Sequence, residues 1–356
     1  MHAQVDSKKL KSALDFLVAL PGFDDHTILI STKDDGLYFE GAGDGSFAAV
    51  SIPANIMASG SLAVDADYMR NLRLQKETVI QKQGSRLTFS SGRLKGDIVL
   101  TEDSVSQHRP SKEIDCVVQL NRELFLAAIK QTAFAPSLPD PSFGLRLILE
   151  GRICKFICND TYRAILYFQD LPQWVEKKLD IVISPDVLKH ICSKATGDHI
   201  SIGVRDGIVR TKADNLDVTF PAIQAQADDV EAFLQEVSET DSLGSVEVNT
   251  SEFLDTCRAA SSLVKGLGFE VQLTLAFKGK TVQIDVESPH GNAQAEYGLE
   301  TEVKKDFHVL LNSKYLIDLL KMVQEDTFNL QVWEALIILS ADDNRYQSSL
   351  STLSVE

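Results

Sequence analysis

Ser61-Leu62-Ala63-Val64-Asp65-Ala66-Asp67-Tyr68-Met69 reads as a short apolar strand that runs directly into a helix. Asp65 or Asp67 supplies the side-chain oxygen that an N-cap needs, and Tyr68, Met69, Leu72 and Leu74 continue as the apolar side of a helix reaching Lys76. The same phrase, strand then polar cap then amphipathic helix, recurs along the chain. It opens three stretches, at Val5–Leu20, Val118–Ala133 and Val246–Val264, and returns in each at Leu62–Lys76, Ile181–Ala195 and Val309–Val323. Every second unit is followed by alternating apolar residues and turn signals, so the chain reads as three modules of similar size.

Each module reads β-α-β-β-β-α-β-β-β, an α+β fold in which alternating strands imply one buried and one exposed sheet face. Asp6, Asn121 and Asn249 or Ser251 cap the first helices, and Ser184-Pro185 and Asn312-Ser313 open later ones. Hairpin turns are expected at Lys33–Gly36, Gly84-Ser85, Gly151-Arg152, Arg205–Gly207 and Lys278–Lys280. The boundaries fall at a linker-like segment, Gln107–Lys112, and an acidic stretch, Asp228–Asp241, which divides the chain into 1–112, 113–240 and 241–356.

Composition narrows the function classes. The 356 residues are 44% hydrophobic and 24% charged, ordinary for a soluble globular protein. No apolar run suits a membrane span and the N-terminus lacks a secretory pattern, so a cytoplasmic location is expected. The five cysteines are odd in number and scattered, and Cys154 and Cys158 share a strand face with Phe156. Buried reduced thiols fit better than a metal site or a disulfide framework. Gly41–Ser46 is glycine-rich but lacks the Lys-Ser/Thr of a phosphate loop, and reads as a hairpin turn. No catalytic constellation, metal or cofactor is expected.

The net charge of −16 alone argues against nucleic acid. Its distribution argues otherwise. Six helical windows (6–20, 65–76, 121–133, 184–196, 249–265 and 312–322) carry 14 Lys/Arg against 9 Asp/Glu, and the remainder carries 21 against 42. Positive charge is concentrated on the helices.

The order of elements resembles that of the bacterial-type DNA polymerase sliding clamp, the beta processivity clamp, over essentially the whole chain. The phrase Ser61–Met69 looks like the strand-to-helix turn of the first clamp domain. Phe156-Ile157-Cys158-Asn159-Asp160-Thr161-Tyr162-Arg163-Ala164 looks like the family's "ATDGHRLA" segment in the second, and Asn249–Ala260 like the start of the third. The resemblance implies three tandem clamp domains per chain and a homodimer forming a six-domain ring, helices inside and antiparallel sheets outside. It also implies a non-enzymatic processivity factor that encircles double-stranded DNA without reading sequence and tethers a DNA polymerase, a clamp loader and other clamp-motif proteins. Lys8, Lys11, Arg70, Arg73, Arg122, Lys130, Lys189, Lys194, Arg258, Lys265, Lys314 and Lys321 are the implied phosphate contacts, though each alone reads equally well as a solvated surface charge.

A partner-peptide pocket is implied at Asn159, Asp160, Thr161, Tyr162, Arg163, Ala164, Ser184, Leu188, Leu350, Ser351 and Thr352. Thr161 replaces the family's Gly, Ala164 its Leu and Ser351 its Pro, so the preferred peptide is left open. For Leu188 and Leu350 a plain core role is open as well. Ring closure is implied near Ser261, Ser262, Leu263 and Val264, where two serines replace large apolar residues and a weaker dimer than usual is expected. The rival reading is a clamp-like peptide-binding scaffold that does not encircle DNA.

Overall fold

The strand-cap-helix phrase folds as its chemistry dictates. Asp6 accepts hydrogen bonds from the backbone N–H groups of Lys8 and Lys9 and starts α1 (Ser7–Val18). Asp65 does the same for α2 (Ala66–Arg70), and Asn121 for α3 (Arg122–Thr132). Pro185 begins α4 (Pro185–Lys194), where a missing N–H costs nothing. Asp229 caps α5 (Val230–Ser238), Asn249 caps α6 (Thr250–Ala260) and Asn312 caps α7 (Ser313–Leu320). The computed structural model describes all residues except 21, 22, 24, 25, 34, 35, 111–113, 115–117, 137–139, 141, 226, 227, 265–270, 289, 290 and 354–356. The linker end at Lys112, the Asp34-Asp35 turn and Cys116 therefore lie outside the described residues.

The chain divides into two compact units, residues 1–126 with 186–222, and residues 127–185 with 223–356. In the first, one antiparallel sheet runs in the order 94–99, 86–91, 77–83, 2–6, 46–58, 216–221, 208–213, 199–205, 118–121, with strands 27–33, 36–43 and 61–65 attached beside it. Leu10, Ala13, Leu14 and Leu17 on α1 are buried, at the three-four spacing of an amphipathic helix. Phe16 stacks on His190 at 4.9 Å between ring centroids, and the His190 Nε2 lies 3.0 Å from the Phe16 carbonyl. Expected turns are present: Asp44-Gly45 and Asp206-Gly207 take positive φ at both positions, the geometry that matches hairpin twist. The glycine-rich segment around Gly45 is thus a hairpin tip.

The second unit holds two antiparallel sheets. One runs 145–159, 163–183, 346–351, 336–341, 327–332, 244–249, and the other 291–298, 281–288, 272–278, 307–312. Phe253 on α6 meets Tyr297 and Phe328 edge-on, and Phe277 stacks on Phe307. Cys154, Phe156 and Cys158 are all buried along one strand face.

Several details depart from the sequence reading. Four strands, not three, lie between the helices in the first and third stretches. In the second these fuse into two long strands, Leu145–Asn159 and Arg163–Ile183. Their pairing keeps the same pattern, since Leu145 pairs with Ile183 as Thr27 pairs with Asp65. The helix expected to reach Lys76 stops at Arg70, with Asn71 as its C-cap. Tyr68 is 64% exposed, so only Ala66 and Met69 of its apolar residues are buried and little packing holds further turns. Leu124, an apolar residue in the first turn of α3, is 59% exposed.

The largest departure is in the acidic stretch Asp228–Asp241, which contains α5. Val230 and Leu234 pack with Ile148, Ile157, Leu166, Trp333, Leu336 and Ile338. This covers the sheet face expected to meet solvent, and strand Leu336–Ala341 is consequently buried at every position.

Two strand pairings tie neighbouring stretches together. Strand Leu216–Pro221 pairs with Ser46–Ala58, from Leu216↔Val50 to Thr219↔Phe47. Strand Tyr346–Ser351 pairs with the start of Arg163–Ile183, from Arg163↔Leu350 to Tyr167↔Tyr346. In both cases the last strand of one stretch lies on the third strand position of the preceding one. The remaining members of that series, Leu94–Val99 and Gly291–Gly298, each end their sheets.

Candidate functional site

The loop Asn159–Ala164 is built around one buried carboxylate. Asp160 Oδ1 accepts from the backbone N–H groups of Tyr162 and Arg163, both at 2.9 Å, while the Asp160 N–H donates to the Arg163 carbonyl at 2.8 Å. Arg163 is 3% exposed. Its Nη2 donates to Asp160 Oδ2 and to the Ala135 carbonyl, each at 2.8 Å. The guanidinium sits between the rings of Phe134 and Tyr315, 4.3 and 4.2 Å from their centroids, an arrangement suited to its planar cation. Tyr162 stacks on Tyr315 from outside.

Burial alone would raise the Asp160 pKa. The hydrogen bond from Arg163 and those from the Tyr162 and Arg163 backbone outweigh it and hold the carboxyl below its usual 3.8. A carboxyl lowered on folding stabilises the native state above its unfolded pKa and stops doing so as pH falls through the native one. Asp160→Asn should therefore shift the urea midpoint strongly at pH 7 and progressively less below about pH 4. Equal shifts at pH 7 and pH 2.5 would contradict this account.

Beside this loop is a hollow of about 380 Å³, lined by Asn159–Ala164, Asp228, Asp229, Val230, Phe233, Leu336, Ser349 and Ser351. The expected residues 159–164 and Ser351 are thus brought together. Ser184, Leu188, Leu350 and Thr352 are not among its walls. Leu188 and Leu350 are fully buried, and period-two alternation turns Leu350 to the core while Ser349 and Ser351 face the hollow. Thr352 bonds the Glu334 and Ala335 carbonyls instead. Asp228 and Asp229, just ahead of α5, and Val230 and Phe233 on it were missed, although Val230, Leu234 and Val237 show helical spacing behind an Asp cap.

The helix cations fall into two groups. Arg70 is held by Asp15 at 2.9 Å and Asp67 at 3.1 Å, Arg122 donates to the Ala195 carbonyl, Arg258 pairs with Asp255, and Lys321 with Asp318. Lys194 reaches Ser12, and Lys189 is half-buried on α4. Lys8, Lys11, Lys130 and Lys314 are exposed on helices, and Arg73 is exposed but beyond the end of α2. Lys265 lies outside the described residues. Lys9, Lys33 and Lys194 surround a second hollow of about 450 Å³ in the first unit, two of them absent from the expected set. Near the expected closure, Ser261–Val264 forms a 3₁₀ turn. The half-buried Ser261 places its hydroxyl 2.6 Å from that of Ser313, and Ser262 is exposed. The side chains of Leu263 and Val264 lie outside the described residues.

Among the described residues no group of three or more His, Cys, Asp or Glu is arranged to hold a metal, and no helix is long and apolar enough to cross a membrane. Burial pushes the Cys192 and Cys257 thiols up to about 12, which keeps them protonated and poor nucleophiles near neutral pH.

No family model matches the chain, and no curated protein matches its sequence. Solved structures do match, over the whole of both chains. The DNA polymerase sliding clamp of Bacillus subtilis is 18% identical with a TM-score of 0.88. The beta subunit from the DNA polymerase of Streptococcus pyogenes is 16% identical at 0.87, and the DNA polymerase III beta subunit of Thermotoga maritima 15% identical at 0.82. Identities this low speak to architecture, and the chain has the fold of the bacterial DNA polymerase III beta sliding clamps.

Proposed function

We propose that this protein is a DNA sliding clamp: a non-enzymatic, cytoplasmic processivity factor whose homodimer encircles duplex DNA. Its partners are then a DNA polymerase, a clamp loader and other proteins carrying a clamp-binding peptide. The three domains are residues 1–112, 113–240 and 241–356. The supporting observation is the repeated junction. Last strand meets third strand position twice within the chain, and the one remaining pair, Leu94–Val99 and Gly291–Gly298, stands at sheet edges. Pairing these between two chains gives a two-fold assembly that removes both edges. The contact of the 3₁₀ turn at Ser261–Val264 with the Gly291–Gly298 strand supports an interface that includes Ser261 and Ser262. Exposed cations on the helices of an otherwise acidic chain support sequence-independent phosphate contact.

The test is retention on nicked circular DNA after loading with a clamp loader and ATP, before and after the circle is linearised. Retention on the circle and loss on cutting is the expected result. Equal loss from both, with a control clamp loading normally, would favour the scaffold reading. Equal retention on both would mean ordinary backbone binding and no ring.

A further inference from the structure

The hollow beside Asn159–Ala164 combines apolar and acidic walls. Phe233 on α5 is 45% exposed there, next to buried Val230 and Leu336, so an apolar side chain has a surface to cover. Asp228 and Asp229 stand at the start of the same helix. The Asp228 carboxylate accepts the neutral Asn159 amide at 2.9 Å, and that of Asp229 the Ala232 N–H. Nearby cations are already matched. Arg163 is held by Asp160, Arg146 makes a two-point bridge to Asp180, and Lys155 pairs with Glu231. Arg146 also reaches the Asp228 backbone carbonyl at 3.3 Å and interacts at longer range with Asp229, but no Lys or Arg among the described residues is within ion-pair distance of either carboxylate.

We propose that this hollow selects peptides that carry a basic residue beside their apolar anchor, with α5 as the element that sets the preference. The proposal rests on the peptide-pocket reading above and adds the charge of the partner to it. Phe233 and Leu336 hold the anchor, and Asp228 and Asp229 attract the adjacent Lys or Arg. Exposed pairs contribute modestly, so two of them should change affinity by roughly fivefold to tenfold at low salt, and less at high salt.

Fluorescence anisotropy with the full chain tests this, using three fluorescein-labelled heptapeptides. They share a Leu-Leu-Phe centre and are flanked on both sides by Lys-Lys, Ser-Ser or Glu-Glu. The expected order at 50 mM salt is Lys tighter than Ser, and Ser tighter than Glu. The spread should collapse at 500 mM salt and in Asp228→Asn/Asp229→Asn, since Asn preserves the cap and the Asn159 contact. Phe233→Ala should weaken all three alike. Equal affinities, or an order that survives the double Asn variant, would overturn the charge preference while leaving the pocket in place if Phe233→Ala still weakens binding. No binding by any peptide, or binding untouched by Phe233→Ala, would remove the pocket reading and this proposal with it.

Discussion

Replacing Arg163 by Ala should destabilise the unit formed by residues 127–185 and 223–356 by about 3–5 kcal/mol, the usual result of stranding one member of a buried ion pair. The substitution leaves Asp160 in a site only slightly open to water and removes the cation between Phe134 and Tyr315. It also frees the Ala135 carbonyl. Among the described residues Arg163 Nε has no hydrogen-bond partner, so the faces of Phe134 and Tyr315 add to the Asp160 and Ala135 contacts in compensating the burial of the guanidinium. Lysine cannot reproduce both the two-acceptor geometry and the stacking, and Arg163→Lys should lose more than half of the same energy. Urea midpoints measure this directly. A double-mutant cycle with Asp160→Asn should give a coupling of about 2 kcal/mol or more. A coupling near zero would mean that the pair is incidental and that packing alone fixes the loop. The same variants should lose peptide binding, because Asn159–Ala164 forms one wall of the hollow.

Arg163 shows how far sequence could reach. Its place in the motif marked it as a pocket residue, and it does border the hollow. Its guanidinium, however, acts as a clamp inside the loop, because a Phe134 and a Tyr315 far away in sequence close over it. Local signals carried the fold: capping residues at strand ends, three-four spacing on α1, and Asp-Gly turns all reappear in the structure. Signals weakened where tertiary packing decides. Tyr68, Leu72 and Leu74 had a helical pattern, yet α2 ends at Arg70, with Tyr68 exposed and Leu72 and Leu74 only half-buried. The acidic run around Asp228 disguised α5. Its buried face has only a few apolar residues, and their partners Trp333, Leu336 and Ile338 come from a strand and the turn before it, about a hundred residues away in a sheet whose order cannot be read locally. For the helix cations, charge was legible and engagement was not. Arg70 and Arg122 look like Lys8 and Lys11 in the sequence, but their partners Asp15, Asp67 and the Ala195 carbonyl occupy them.

That distinction selects the residues for the test of DNA contact. Lys8, Lys11, Lys130 and Lys314 are exposed helix cations with no ion pair among the described residues, so reversing them should not disturb the fold. Changing all four to Glu should reduce retention on a nicked circle at 50 mM salt by about a hundredfold, since each lost phosphate contact also removes the counterion release that drives binding. Wild-type retention should fall steeply between 50 and 200 mM salt, and the variant's should be much flatter. Net charge alone could repel DNA, and an equal reversal elsewhere separates the two effects. Lys177, Lys278, Lys280 and Lys305 lie exposed on strands and connecting segments away from any helix, and their change to Glu alters the total charge identically. If the ring reading holds, this second variant retains at least a third of wild-type loading, because repulsion is largely screened beyond about 14 Å at 50 mM salt. Equal loss in both variants would assign the effect to global charge and leave the helices without a special role. Loss confined to the helix variant would make them the DNA-facing surface.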